Sequence, residues 1–529
     1  MSEFAWWQRG IVYHIYPRSF QDSDGDGTGD LAGITGRLDY LQWLGVDALW
    51  ISPFFPSPMA DFGYDITDYR NVHPMFGTLA DFDALVARVH RLGLRLLLDY
   101  VPNHTSQEHP WFVESRARRD NPKRNWYIWR DPAPNGGPPN NWVANFGGSA
   151  WEWDATTGQF YYHAYLREQP DLNWRNPAVR AAMLDVMRFW LDRGVDGFRV
   201  DALRQIIKDD QFRDNPPNPD HRLDQGPYLS LLPVYSTDRP EVHEVIRAMR
   251  SVLDEHPERL MIGELYLPIH RLVAYYGDGG NGMHLPANFH LLLTAWRAED
   301  IAALIETYES ALPEFGWPNW VLSNHDRHRV ASRVGHEQAR VAAMLLLTLR
   351  GTPTIYYGDE IGMHDVAIPP EFVRDPWEKN VPGLGLGRDP ERTPMQWSAE
   401  PAAGFTEGAP WLPLADDSGR VNVEAERREP TSMLGLYRRL IELRRREDAL
   451  SVGRYRPRGV RSDLLAYERS QAERRFLVVL NLGHHEQRWD LNAGELGHVV
   501  VSTHLDREQE AVAAAVRLRP DEGVVIALA

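Results

Sequence analysis

Two textures of apolar and polar positions divide this chain. Up to about residue 454, short apolar runs alternate with longer stretches whose apolar positions recur every three or four residues. The runs GIVYHIYP, VDALWISPFF, LRLLLDYVPNH, GFRVD, RLMIGELY, WVLSNHDR and TPTIYYGDEIG read as strands, with a weaker one within GMHLPANFHLLL. LRLLLDYVPNH is almost continuously apolar, as a strand buried on both faces should be. Helical periods lie between them, clearest in LADFDALVARVHRLG, AVRAAMLDVMRFWLDRG and SMLGLYRRLIELRRRED. Eight strands alternating with helices predict an α/β chain closed into a (β/α)8 TIM barrel.

The periodicity lapses after the third run. Residues 105–173 are a mixture of Pro, Gly, Asn and Trp too long for an ordinary loop, which predicts an inserted subdomain on the face where the strands end. A second irregular stretch covers about 363–412. From residue 455 the texture changes to short alternating runs (LLAYERS, RFLVVLNLG, HVVVSTHL, GVVIALA), the signature of a C-terminal antiparallel β domain. The expected division is therefore a barrel from 1–104 and 174–454, an insertion over 105–173 and a β domain over 455–529.

Composition narrows the function. A formal charge of −17 opposes nucleic acids and anionic membrane surfaces. The absence of cysteine removes disulfides, thiolate nucleophiles and thiolate metal sites. The start, MSEFAWWQRGIVYHIYP, lacks the cationic and apolar regions of an export signal, and no apolar run reaches membrane-spanning length. A soluble cytoplasmic protein with a small-molecule substrate is expected, its oligomeric state left open. Many of the 19 tryptophans fall in loop-like sequence, where a flat apolar face suits a sugar ring, with about half expected in the core.

The candidate chemistry sits where the strands run out. In GFRVD, alternation puts Phe198 and Val200 on one face and Arg199 and Asp201 on the other. Glu264 and Asp326 end two further strands, and Asp99, Asn103 and His104 end the third. In a barrel those ends converge. Three acids flanked by His104, Arg199 and His325 describe a pocket for a neutral polyol under acid–base chemistry. Glycoside hydrolysis needs one ionised and one protonated carboxyl astride the bond. Arg199 is expected to keep Asp201 anionic, and the apolar strand before Glu264 to raise that carboxyl towards a proton donor, with Asp326 left for sugar hydroxyls. The expected course is a covalent glycosyl-enzyme and retained configuration.

The loop DSDGDGTGD spaces Asp22, Asp24, Asp26 and Asp30 around Gly25, Gly27 and Gly29, half of a calcium-loop pattern. Gly33 stands where the closing glutamate would be. Four carboxylates in nine residues repel one another without a cation, which favours calcium; magnesium or a metal-free acidic turn stays open.

DYVPNH, GFRVDAL, GELY and LSNHD, in this order, resemble the four signature regions of the α-amylase family, glycoside hydrolase family 13. QPDLN, DSDGDGTGD and GTPTIYYGDEIG extend the likeness over nearly the whole chain. The resemblance implies Asp201 as nucleophile, Glu264 as acid/base and Asp326 as transition-state stabiliser, with Asp99, His104, Arg199 and His325 lining the glucose site. GYDITDY and GRDPERTPMQW are similar to the exo-acting α-glucosidase and oligo-1,6-glucosidase branch. That likeness implies Tyr64 stacking on the terminal sugar, Asp65 and Arg388 gripping its hydroxyls and blocking the pocket, and a metal held by Asp22, Asp24, Asp26, Asp30 and the Thr28 carbonyl. The residue after the nucleophile tends to be Val in α-1,6 enzymes of the branch. Here it is Ala202, which implies α-1,4 or broad specificity for maltose-type disaccharides, with transglucosylation as a side activity. No organic cofactor is implied. An oligo-1,6-glucosidase, or a trehalose synthase or sucrose isomerase on the same scaffold, is the alternative enzyme, and a non-catalytic sugar-binding or transporter-partner relative the alternative class.

Overall fold

The computed structural model describes residues 4–529; residues 1–3, which open the stretch read for an export signal, lie outside the described residues. In chain order the barrel begins with β1 (Val12–Ile15), β2 (Ala48–Ile51) and β3 (Arg95–Tyr100). The insertion then contributes β4 (Trp129–Arg130), β5 (Trp151–Asp154) and β6 (Gln159–Tyr162), and the barrel resumes with β7 (Gly197–Val200), β8 (Leu260–Gly263), β9 (Leu285–Pro286), β10 (Asn319–Val321) and β11 (Thr352–Tyr356).

The parallel barrel sheet runs β10-β11-β1-β2-β3-β7-β8-β9, and one parallel bridge between Asn288 and Trp320 spans the remaining gap. β9 is the strand whose sequence signal was weakest, and Pro286, with no N–H to donate, limits it to two residues. Strand alternation builds two cores. Val12, Ala48, Trp50, Leu97, Leu260, Ile262 and Leu285 fill the barrel, while Tyr13, Ile15, Leu49, Ile51, Leu98, Phe198 and Val200 pack outward under the helices. Gly197 lets β7 and β8 approach: a Cβ there would lie 2.0 Å from the Leu260 carbonyl oxygen. Pro17 follows the first strand and opens the helical turn Pro17–Phe20, its fixed φ suiting the first helical position.

The insertion leaves and returns at one point. Thr105 N–H donates to Pro170 and Leu172 N–H to Asn103, so its two ends are bridged at 3.2 and 2.9 Å. β4, β5 and β6 form a small antiparallel sheet over Trp142, Trp151, Phe160 and Tyr162. The loop after β7 was not foreseen as a structural wall. It stretches to the helix Val242–Leu253 and locks onto the insertion, with Asn140 Nδ2 donating to Phe212 at 3.0 Å and Trp142 Nε1 to Arg213 at 2.9 Å.

The C-terminal strands are β12 (Arg454–Arg461), β13 (Leu464–Gln471), β14 (Arg474–Asn481), β15 (Gln487–Asp490), β16 (Leu496–Ser502), β17 (Ala511–Ala513), β18 (Ala515–Leu518) and β19 (Gly523–Leu528), an antiparallel sheet separate from the barrel. One face of β13 and β14 (Leu465, Tyr467, Phe476, Val478) joins the main core, while the other (Leu464, Ala466, Leu477, Val479) makes its own. Arg340, on the helix His336–Thr348, reaches Thr503 at 2.8 Å and helps fasten the two. No helix among the described residues is long and apolar enough to cross a membrane.

Candidate active site

The carboxyl ends of the strands open into a cavity of about 570 Å³, lined by Tyr64, His104, Asp201, Ala202, Glu264, His325, Asp326 and Arg388 among others. The three acids predicted from separate strands thus share one chamber. β3 and β7 pair with Asp99 opposite Arg199, and β7 and β8 with Val200 opposite Gly263, so Asp99 lies level with Arg199 while Asp201 and Glu264 follow at the strand ends above it.

Its guanidinium is divided three ways: Nη1 meets Asp99 Oδ1 at 2.8 Å and Asp201 Oδ1 at 2.7 Å, and Nη2 meets Glu264 Oε2 at 2.9 Å. This corrects two expectations. Arg199 does not serve Asp201 alone: burial, with the charge of Glu264 adding, raises Asp201 well above the usual carboxylate range despite the pull of Arg199. Glu264 does not stand in apolar surroundings either, since Oε2 also accepts from the Ala202 N–H at 2.8 Å. Three carboxyls share one cation, so none of the three is fully compensated. Asp99 is itself raised to about 6 by burial, against the opposing charge of Arg199. Asp326 differs. Burial alone would raise it, but the charges of Arg388 and Arg392 outweigh that and hold it ionised, with Arg392 Nη2 at 3.0 Å and Arg388 Nη1 at 3.2 Å.

Asp99 and Arg199 lie beneath the floor rather than in the cavity lining, 1 % and 2 % exposed. Asp99 is saturated by Arg199, by Trp50 Nε1 at 3.2 Å and by the Tyr64 hydroxyl at 3.0 Å. The same hydroxyl pairs with His325 Nε2 at 2.8 Å, and the two rings lie parallel, 5.5 Å apart. Burial lowers His325 well below its ordinary value and His104 to about 4, so both are neutral.

Asp65 is not a cavity residue. Its carboxylate accepts from Ser57 Oγ at 2.9 Å, Ala60 N–H at 2.9 Å and Asp61 N–H at 3.0 Å, which turns it into the loop. Asp61 takes the position foreseen for Asp65, lining the cavity and meeting Arg388 Nη2 at 2.7 Å. Arg388 is further clamped by Asp375 at 2.6 Å and lies 4.6 Å from the centre of the Phe146 ring. Asp61, Asp375, Arg392 and Phe146 were all missed from sequence. For Asp61 a signal existed, since DFGYD offers an aspartate on each side of Tyr64, but only the turn chooses between them.

The rest of the wall mixes aromatic and apolar side chains (Tyr165, Tyr228, Leu229, Tyr266, Leu293, Trp377 and Leu386) with polar ones (Asn145, Arg204, Asp224, Gln225 and Arg327). Tryptophan contributes less than expected. Ten of the 19 are buried, and Trp377 is the one in this cavity lining.

In the loop after β1, carboxylate oxygens of Asp22, Asp24 and Asp30 come within 4.8 Å of one another. Asp26 is not in that group and accepts from the Thr28 N–H at 2.7 Å. Asp22 receives the N–H groups of Asp24, Gly25 and Gly27, which fixes it at the centre of the turn. Asp30 also caps the helix Leu31–Leu44 through Gly33.

A closed (β/α)8 barrel with an inserted β subdomain and converging carboxyls at its strand ends defines the class of barrel enzymes that cleave glycosidic bonds. The family "Alpha amylase, catalytic domain" matches residues 14–453, and the chain belongs to the α-amylase family. It is 42 % identical over 525 residues to a "Probable alpha-glucosidase" of Rhizobium meliloti (strain 1021), covering 95 % of each chain. It is 40 % identical over 490 residues to an oligo-1,6-glucosidase of Parageobacillus thermoglucosidasius, covering 86 % of each. Among solved structures, an α-glucosyl transfer enzyme, XgtA, superposes with a TM-score of 0.94 at 39 % identity, covering 99 % of this chain and 100 % of that one. The trehalulose synthase MutB of Pseudomonas mesoacidophila MX-45 superposes with a TM-score of 0.92 at 34 % identity over the whole of both chains.

Proposed function

We propose that this chain is a retaining, exo-acting α-glucosidase that removes one glucosyl unit from the non-reducing end of short α-glucosides. The observation that carries the reading is the Arg388–Asp61 pair beside Asp326, backed by Phe146 and Asp375. A committed, buried ion pair at that end of the cavity leaves room for one sugar ring before the bond to be cut, so internal bonds of a polymer cannot thread through.

In this reading Asp201 attacks the anomeric carbon and Glu264 protonates the leaving oxygen, then activates the incoming water. Arg199 stabilises the charge that Asp201 and Glu264 exchange between them. Asp326, ionised beside Arg388 and Arg392, grips hydroxyls of the distorted ring. Capture of the glucosyl-enzyme by a second sugar gives transglucosylation, and the aromatic and polar side chains of the outer wall are where such an acceptor rests. Maltose-type α-1,4 bonds are favoured over α-1,6 because the small Ala202 stands beside the nucleophile. Calcium fits the loop after β1: hard carboxylate oxygens of Asp22, Asp24 and Asp30 converge there, and their mutual repulsion needs a cation, with magnesium as the smaller competitor. Asp26 and the Thr28 carbonyl complete the implied set.

The test is Asp201→Asn. Turnover of a nitrophenyl α-glucoside should fall by roughly three orders of magnitude or more with the far-UV circular dichroism unchanged. A folded variant that keeps its activity removes Asp201 from the nucleophile role.

A further inference from the structure

A second constellation lies outside the cavity. His328, Asp365 and Glu391 bring one ligand atom each to within 4.8 Å of one another. They come from three places far apart in sequence: the loop after β10, the stretch following the turn Asp359–Ile361, and the turn Pro390–Arg392. His328 Nδ1 is 2.9 Å from Asp365 Oδ2 and 4.0 Å from Glu391 Oε2. Asp365 is fixed through its other oxygen by the Arg329 N–H at 2.9 Å.

Glu391 carries the argument. Its side chain is 2 % exposed, yet Oε2, the atom aimed at His328, has no hydrogen-bond partner. Burial, with the charge of Asp365 adding, raises it well above the usual carboxylate range, so its anion is costly as the site stands. The charge of Arg392 opposes that rise, but no surrounding arginine hydrogen-bonds to Oε2. Arg392 serves His325 and Asp326, Arg333 serves Leu322 and His328 carbonyls, Arg329 serves the Tyr357 carbonyl, and Arg327 lies over the Tyr266 ring.

We propose that His328, Asp365 and Glu391 form a site for a divalent transition-metal ion, zinc being the best match. Bonds of about 2.0–2.2 Å hold neighbouring ligand atoms about 3–4 Å apart around one ion, and the two separations from His328 Nδ1 are 2.9 and 4.0 Å. One imidazole nitrogen with two carboxylates selects zinc or cobalt over calcium, which separates this site from the all-oxygen loop at Asp22. His328 is half exposed, leaving solvent access and an open position for water. Bound there, the ion clips the loop that carries Asp326 to the turn that carries Arg392, and so stiffens one wall of the catalytic chamber.

The test uses the full-length protein, stripped with chelator and then saturated with calcium to fill oxygen-only sites. Cobalt is titrated by calorimetry and by its visible absorption. The wild type should take up one cobalt ion with an imidazole-nitrogen signature and release it to zinc. His328→Ala and the isosteric Glu391→Gln, each checked for folding by circular dichroism, should weaken that binding by about tenfold or more. Wild-type protein that binds no such cobalt, or variants that bind it as tightly, would overturn the site; the second result would mean that Glu391 simply holds a proton.

Discussion

The backbone N–H of Ala202 donates to Oε2 of Glu264 at 2.8 Å, and Ala202 holds the left-handed conformation, φ +47°, in order to do so. The residue after one acid thus orients the other, through a backbone that an L-residue adopts only at a cost of about 1–2 kcal/mol.

Ala202→Val tests that arrangement. A β-branched side chain is more strained in this region, so stability should fall by about 1 kcal/mol. The added methyls project into the cavity, and kcat/KM for maltose should drop relative to isomaltose. Thermal denaturation and a two-substrate comparison measure both. An unchanged Tm with an unchanged ratio would mean that neither the backbone nor the side chain at this position matters.

The acid limb of the activity profile should lie high. Asp201 is raised by burial and by Glu264, so it is protonated at pH values where an ordinary aspartate, near about 4, is ionised. The nucleophile must be ionised, so kcat/KM should fall as pH drops through the raised value, above pH 4, whereas Asp326 stays charged throughout. A profile flat down to pH 4 would contradict the raised Asp201.

Asp61 and Asp65 should separate cleanly. Asp61→Asn weakens the pair with Arg388 and is expected to lower kcat/KM by about two orders of magnitude through transition-state binding. Asp65→Asn disturbs three hydrogen bonds inside the loop and should cost about 1–3 kcal/mol of stability with a smaller kinetic effect. Asp65 also has a pH dependence of its own: burial raises it to about 6, above its unfolded value of about 4, so the native state binds the extra proton. Its contribution therefore grows as pH falls from about 6 to about 4, and that increment should vanish in Asp65→Asn. Equal kinetic losses in the two variants would refute the distinction.

Removal of metal should loosen the loop after β1. Chelation should lower Tm; calcium at a hundredfold excess over its Kd should restore about 2.7 kcal/mol of stability, and more than magnesium does. Asp24→Asn should blunt the response because it removes charge from the converging trio. A Tm indifferent to chelator and calcium would leave the loop a metal-free acidic turn.

The order of strands and helices, the break after β3 and the change to antiparallel strands near residue 455 were legible in sequence because each follows from local periodicity, which burial imposes residue by residue. The acids at 201, 264 and 326 were legible for the same reason: a charged residue at the end of an apolar strand stands out. Ionisation and partnership were not. Whether Arg199 serves one carboxyl or three depends on register between β3, β7 and β8, and whether Asp61 or Asp65 meets Arg388 depends on how a turn is wound against a segment more than three hundred residues away. Electrostatic energies vary with distances of an ångström or two and with burial by neighbouring chain, and both are properties of the packed molecule. Sequence alone determined which chemical groups the barrel carries to its mouth; the tertiary structure decided which of them share a charge, a proton or a wall.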